Sequence, residues 1–99
     1  MVRGTTPTLN FTIPIDVSTI AVLSVAFSQA GTVILDKTLD DCTVSGHLIT
    51  LGLTQAETLM FTADVPVDIQ IRCRLNDGVA LASNIINTTT GRILKDGVI

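Results

Sequence analysis

Between Val67 and Leu75 the chain alternates without a slip, with Val67, Ile69, Ile71, Cys73 and Leu75 on one side and Asp68, Gln70, Arg72 and Arg74 on the other. A helix repeats every ~3.6 residues, so strict period two over this length cannot collect its apolar side chains on one helical face. The run is a strand with one side buried and the other in water. Asn76-Asp77-Gly78 follows directly, and an Asp-Gly pair supplies the positive φ angles that a tight hairpin needs. An antiparallel sheet is therefore required, and the neighbouring segments set its size.

Upstream, Thr8 to Ile15 alternates Leu9, Phe11, Ile13 and Ile15 with Thr8, Asn10, Thr12 and Pro14. Pro14 has no N–H for a ladder, so it sits at an edge or at a strand end, and the segment reads as an edge strand. Ala21 to Gln29 is a second strand, Ala30-Gly31 a tight turn, and Thr32 to Thr38 the returning strand. The polar Thr38-Leu39-Asp40-Asp41 leads into a short strand at Cys42-Thr43-Val44, and Ser45-Gly46 turns it into His47 to Leu53. Gly52 within that strand suggests a bulge or a close backbone approach. Thr54-Gln55-Ala56-Glu57 matches a capping box, opening one helical turn to about Met60 or Phe61 that Asp64-Val65-Pro66 stops. After the hairpin, Val79 to Thr88 pairs back; apolar residues on both of its faces predict cover from both sides.

Roughly seven alternating strands in about 100 residues is the pattern of an immunoglobulin-like β-sandwich. The expected fold is all-β, with six to seven short antiparallel strands and one helical turn near residues 55–60; a small barrel is the second architecture. With only three aromatics, Phe11, Phe27 and Phe61, the core has to be built from Val, Ile and Leu. At 46% hydrophobic and 15% charged, the chain is too apolar and too weakly charged to be disordered. A net charge of −3 with dispersed Lys and Arg argues against a nucleic-acid partner. No stretch approaches the ~20 apolar residues of a membrane span. The opening Met1-Val2-Arg3-Gly4-Thr5-Thr6 carries no secretory pattern, so the cytoplasm of the producing cell is the expected compartment.

Candidate chemistry is sparse. A triad or a zinc site needs His47, the single histidine, to be joined by a nucleophile, a carboxylate or further ligands. Cys42 lies across a turn from it and could approach, which gives a hydrolase reading resting on those two residues alone. Asp40-Asp41 offers two carboxylates to a cation, with no third at suitable spacing, and the solvated turn is preferred. Cys42 and Cys73 match no metal or redox spacing; Cys73 reads as a small apolar residue on an inward strand face, with an inter-sheet disulfide as the minor alternative. Asn10-Phe11-Thr12 and Asn87-Thr88-Thr89 match the glycosylation pattern but fall within strands. Arg72 and Arg74, with Asp68 and Gln70, read as an ordinary outward strand face, with a polar contact surface as the alternative. No metal or cofactor is expected, and no catalytic residue.

One segment departs from the strand pattern. Gly91-Arg92-Ile93-Leu94-Lys95-Asp96-Gly97-Val98-Ile99 sets four large aliphatics among three charges and a second glycine. The division is a sandwich over residues 1–90 and a tail over 91–99. Arg92, Ile93, Leu94, Val98 and Ile99 are its candidate partner-binding residues, docking in cis or in trans.

The opening Arg3-Gly4-Thr5-Thr6-Pro7-Thr8-Leu9-Asn10-Phe11-Thr12-Ile13-Pro14 and this ending resemble small structural proteins encoded by prophages of Gram-positive bacteria. Leu53-Thr54-Gln55-Ala56-Glu57-Thr58-Leu59 and Asp77-Gly78-Val79-Ala80-Leu81-Ala82-Ser83 fit the same pattern. The order of elements is also similar to the N-terminal immunoglobulin-like domain of phage baseplate upper proteins, here without the long helical and receptor-binding-protein-holding parts. The resemblance implies a non-enzymatic virion structural or assembly protein of tail or baseplate type. It would be assembled in the host bacterial cytoplasm, and its partners would be other phage structural proteins or further copies of itself. The alternative is a small ligand- or carbohydrate-binding sandwich, which the lack of Trp and Tyr as stacking platforms disfavours.

Overall fold

The structure, a computed structural model, describes residues 1–99. Eight strands form two antiparallel sheets. β1 (Thr8–Thr12), β5 (Leu48–Gly52) and β4 (Cys42–Ser45) make one, in the order β1-β5-β4. The other runs β3 (Thr32–Thr38), β2 (Ile20–Gln29), β6 (Val67–Leu75) and then β7 (Ala80–Ala82), with β8 (Ile86–Thr88) also on β6. This is the Greek-key order of an immunoglobulin-like sandwich: β1, β5 and β4 stand in the B, E and D places, and β3, β2, β6 and β7 in the C′, C, F and G places. No helix is long and apolar enough to cross a membrane.

The core follows the alternation. Phe11, Ile49, Leu51 and Leu53 from one sheet and Leu23, Val25, Phe27, Val67, Ile69 and Ile71 from the other are buried together. Phe61, from the segment after the helical turn, packs against Phe27 with ring centroids 6.0 Å apart. That turn, α1 (Gln55–Thr58), opens on the expected capping box: Thr54 Oγ1 accepts from Glu57 N at 3.2 Å, and Glu57 Oε1 accepts from Thr54 N at 2.9 Å.

Three local expectations are corrected. β1 ends at Thr12 rather than continuing to Ile15, since the proline at position 14 cannot donate to the ladder. Gly52 is neither a bulge nor a close approach, for it pairs in register with Thr8, and a Cβ there would meet nothing within 4 Å. The return strand expected over Val79 to Thr88 is broken in two. Ser83 Oγ accepts from Ile71 N at 3.0 Å and donates to Asn84 O at 2.9 Å, occupying a ladder position with a side chain. Arg72 pairs with Ala82 while Ile69 pairs with Ile86, so one extra residue is inserted between the two pairings. The insertion returns Ile86 to the inner face that Leu81 occupies further up. That strand is also not covered on both sides: Leu81 is 40% exposed and Ile86 43%.

Candidate functional site

The tail lies at the end of the sandwich formed by α1, the β2–β3 hairpin and both chain termini. Its bed is a set of hydrogen bonds that no pattern in the sequence announces. Gln29 is 5% exposed at the end of β2. Its amide nitrogen donates to Thr62 O at 2.9 Å and Val65 O at 3.1 Å, and its amide oxygen accepts from Thr62 N at 2.8 Å. The loop held in this way turns at Asp64, whose φ of 63° lies in the left-handed region that Asp tolerates better than most residues. Asp64 N then donates to Thr90 O at 2.9 Å, which sets the point where the tail departs.

From there the tail is tied in cis along its backbone and through its charges. Gly91 forms a parallel bridge with Val2, its N–H donating to Met1 O at 2.7 Å and its carbonyl accepting from Arg3 N at 3.2 Å. The approach is close, since a Cβ at Gly91 would stand 3.1 Å from Val2 Cγ2. Arg92 pairs with Asp64 at 3.3 Å, with both side chains largely in water. Ile93 is half-buried over Gly4. Asp96 reaches Arg3 at 3.4 Å, and the same guanidinium donates to Phe61 O at 2.7 Å and Leu59 O at 3.0 Å. Finally, Ile99 N donates to Gln55 Oε1 at 2.9 Å.

The five residues singled out in the sequence therefore divide. Arg92 and Ile93 are spent on the chain itself. Leu94 is fully exposed, Ile99 89% exposed and Val98 64% exposed. These three aliphatics stand outward on an anchored backbone, and Lys95 beside them forms no salt bridge.

A second apolar feature lies at the opposite end of the sandwich. Where β1 stops and β7 ends, the two sheets leave a groove of about 220 Å³, lined by Ile13, Ile15, Ile71, Cys73, Leu81 and Ser83 among others. A shallower hollow shares Ile15 with it and carries Asp16 and Asp77. The apolar residues on both faces of residues 79–88 were the sequence signal for an opening here, although they suggested extra cover instead.

The remaining candidates do not converge. Cys42 opens β4 and His47 lies in the turn beyond its other end, so the length of the strand, about 10 Å at ~3.3 Å per residue, separates them. Cys42 Sγ contacts Thr38 O at 3.4 Å, and His47 Nδ1 lies 2.8 Å from Ile15 O. Burial raises the pKa of the Cys42 thiol and the nearby Asp41 carboxylate adds to this; burial likewise raises that of Cys73. Both shifts disfavour the thiolate, the nucleophilic form. The two thiols are free: Cys73 lines the groove, whereas Cys42 lies on β4, away from the B place that a B–F bridge would use. Asp41 is bound by its own turn, accepting from Thr38 N at 2.9 Å, a bond that lowers its pKa. Asp68 accepts from Asn87 at 2.8 Å and Gln70 donates to Ser83 O at 3.1 Å, leaving Arg72 and Arg74 exposed on an ordinary outer face. What these surfaces can do chemically is bind apolar and charged groups. No family model, curated protein or solved structure matches the chain.

Proposed function

We propose that the chain is a non-enzymatic interaction module, a structural or assembly protein of a phage or prophage virion, and that residues 94–99 are its docking arm. The observation that carries this reading is the outward display of Leu94, Val98 and Ile99 on a backbone fixed at Gly91, Asp96 and Ile99. Covering one such side chain is worth about 1.5–3 kcal/mol, which supports transient assembly and grows with repetition in an oligomer. The viral setting is supported by the resemblance of the opening and closing segments to small prophage structural proteins. An aliphatic groove without aromatic faces gives no support to the carbohydrate-binding alternative.

Truncation after Ile93 tests the arm. The shortened protein should keep its far-ultraviolet dichroism and unfolding midpoint while losing partner binding. Unfolding on truncation would assign the segment to the core and remove the reading. For the viral setting, particles purified after prophage induction should contain the chain by mass spectrometry, and its absence from them would defeat that part.

A further inference from the structure

We infer that the arm of one copy docks in the groove between β1 and β7 of a second copy, so that the protein assembles head to tail. The inference rests on the docking-arm reading above and names its partner. The arm leaves beside α1 and the Gln29 end of β2, while the groove opens where Ile13, Cys73 and Leu81 meet, toward the other end of the same strands. Each copy thus carries one uncovered aliphatic projection and one uncovered aliphatic recess, on different surfaces. That is a heterologous contact, which repeats into a ring or a filament according to whether the rotation closes.

Size and charge favour this occupant. A cavity of about 150 Å³ lined by aliphatics admits a benzene, so a groove of about 220 Å³ has room for a branched aliphatic side chain such as Val98 or Ile99. The recess itself is apolar; the neighbouring hollow on its Ile15 side carries Asp16 and Asp77, and Arg72 and Arg74 line a hollow on its Cys73 side. To the Ile15 side the arm brings the complementary sign through Lys95, which has no carboxylate partner in its own chain. A solvent-exposed pair of this kind steers and orients more than it tightens, and it is screened by salt.

The test is sedimentation velocity of the full-length protein across concentration, with two single variants and their mixture. Wild type should associate with rising concentration, and Ile99→Asp should weaken association about tenfold or more. Leu81→Arg, which places a cation in the recess, should do the same. Mixing the two variants should restore one contact, giving a species of two chains and none larger, because one variant keeps the groove and the other keeps the arm. A mixture that remains monomeric overturns the inference.

If Leu81→Arg does not fold, Asp16→Asn and Asp77→Asn take its place. Each keeps the acceptor its turn uses, toward Ser18 N at 2.9 Å and Val79 N at 3.0 Å. Together they should flatten the salt dependence of association, and a salt dependence equal to that of wild type would overturn the pairing of Lys95 with the acidic hollow and with it the assignment of the groove. Wild type that stays monomeric to about 1 mM overturns self-docking while leaving an arm that binds a different protein. An arm that unfolds the domain when truncated overturns both readings.

Discussion

Replacing Gln29 with Leu should destabilise the protein by about 2 kcal/mol and loosen the tail before it loosens the sandwich. Gln29 is buried at the end of β2 and closes three hydrogen bonds with the loop 62–65. At about 1 kcal/mol net for each bond the loss would be ~3 kcal/mol. Thr62 is exposed, so water can satisfy its N–H and C=O once the amide is gone; that brings the figure down to about 2. The leucine fills nearly the same space, which keeps any cavity contribution small. Urea unfolding reads the difference. With a slope near 1.5 kcal/mol per molar, the midpoint should fall by about 1.3 M.

Amide exchange then shows where the damage lies. Asp64 N is bonded to Thr90 O and Gly91 N to Met1 O, so both should lose protection while Val25 and Ile71, at the centre of the β2–β6 pairing, keep theirs. A midpoint shift below about 0.3 M, or uniform loss of protection, would refute the claim that one side chain positions the loop and, through it, the tail.

Other perturbations separate fold from arm. Thr90 is 3% exposed with its hydroxyl unpartnered, so Thr90→Val should raise the melting temperature by several degrees, about 1 kcal/mol; a lower melting temperature would mean the hydroxyl is satisfied. Gly4 has φ +72°, and an added Cβ would stand 3.1 Å from Ile93 Cδ1, so Gly4→Ala should cost about 1–2 kcal/mol and speed proteolysis after Ile93. Burial opposes ionisation of Glu57, but the Lys37 ammonium and the Thr54 N–H outweigh it and lower its pKa, and the same pair raises that of Lys37. The contribution of Glu57 is then complete above its unfolded value of about 4.3 and is lost as pH falls through its lower folded value. That of Lys37 is complete below its unfolded value and is lost as pH rises through its higher folded one. Glu57→Gln preserves the capping box, so it should cost about 1 kcal/mol at neutral pH and make the acid limb of stability shallower; an unchanged acid limb would dismiss the pair.

Period-two alternation made β2 and β6 readable because each buries one face along most of its length, while β3 was legible from the Ala30-Gly31 turn that returns it beside β2. It could not report where β1 stops or that β7 and β8 are separate. Those depend on Pro14 lacking a donor and on the Ser83 hydroxyl taking a ladder position, and the second needs a partner strand to be seen. The tail was legible as a departure from alternation, and its outward aliphatics agree with that. Its bed was not legible, because Arg3, Gln29 and Asp64 act on carbonyls and amides brought together only by the fold. The groove was misread for a related reason: apolar residues on both faces of residues 79–88 mean either double cover or an uncovered edge. Sequence cannot separate these until the opposing sheet is placed and found to end at Thr12.

The anchors of the arm decide whether its three aliphatics are enough to bind anything. Ordering a free segment of six residues, 94–99, on docking costs about 1–2 kcal/mol per residue, or ~6–12 kcal/mol. Burying Leu94, Val98 and Ile99 returns about 1.5–3 kcal/mol each, or ~5–9 kcal/mol. A loose arm would gain almost nothing, whereas an arm already held by Asp96 to Arg3 and by Ile99 N to Gln55 has met part of that cost on folding. The consequence separates binding from stability. Asp96→Ala removes an exposed ion pair worth under about 1 kcal/mol to the fold and leaves the contact aliphatics in place, so it should weaken docking by up to about fivefold. Amide exchange at Ile99 should rise in the same variant, and Gln55→Ala should act in the same direction. Wild-type docking by Asp96→Ala, with Ile99 exchange shown to be fast, would mean that the arm binds as a flexible segment and that its fixed course along Arg3 and Gln55 has no part in recognition.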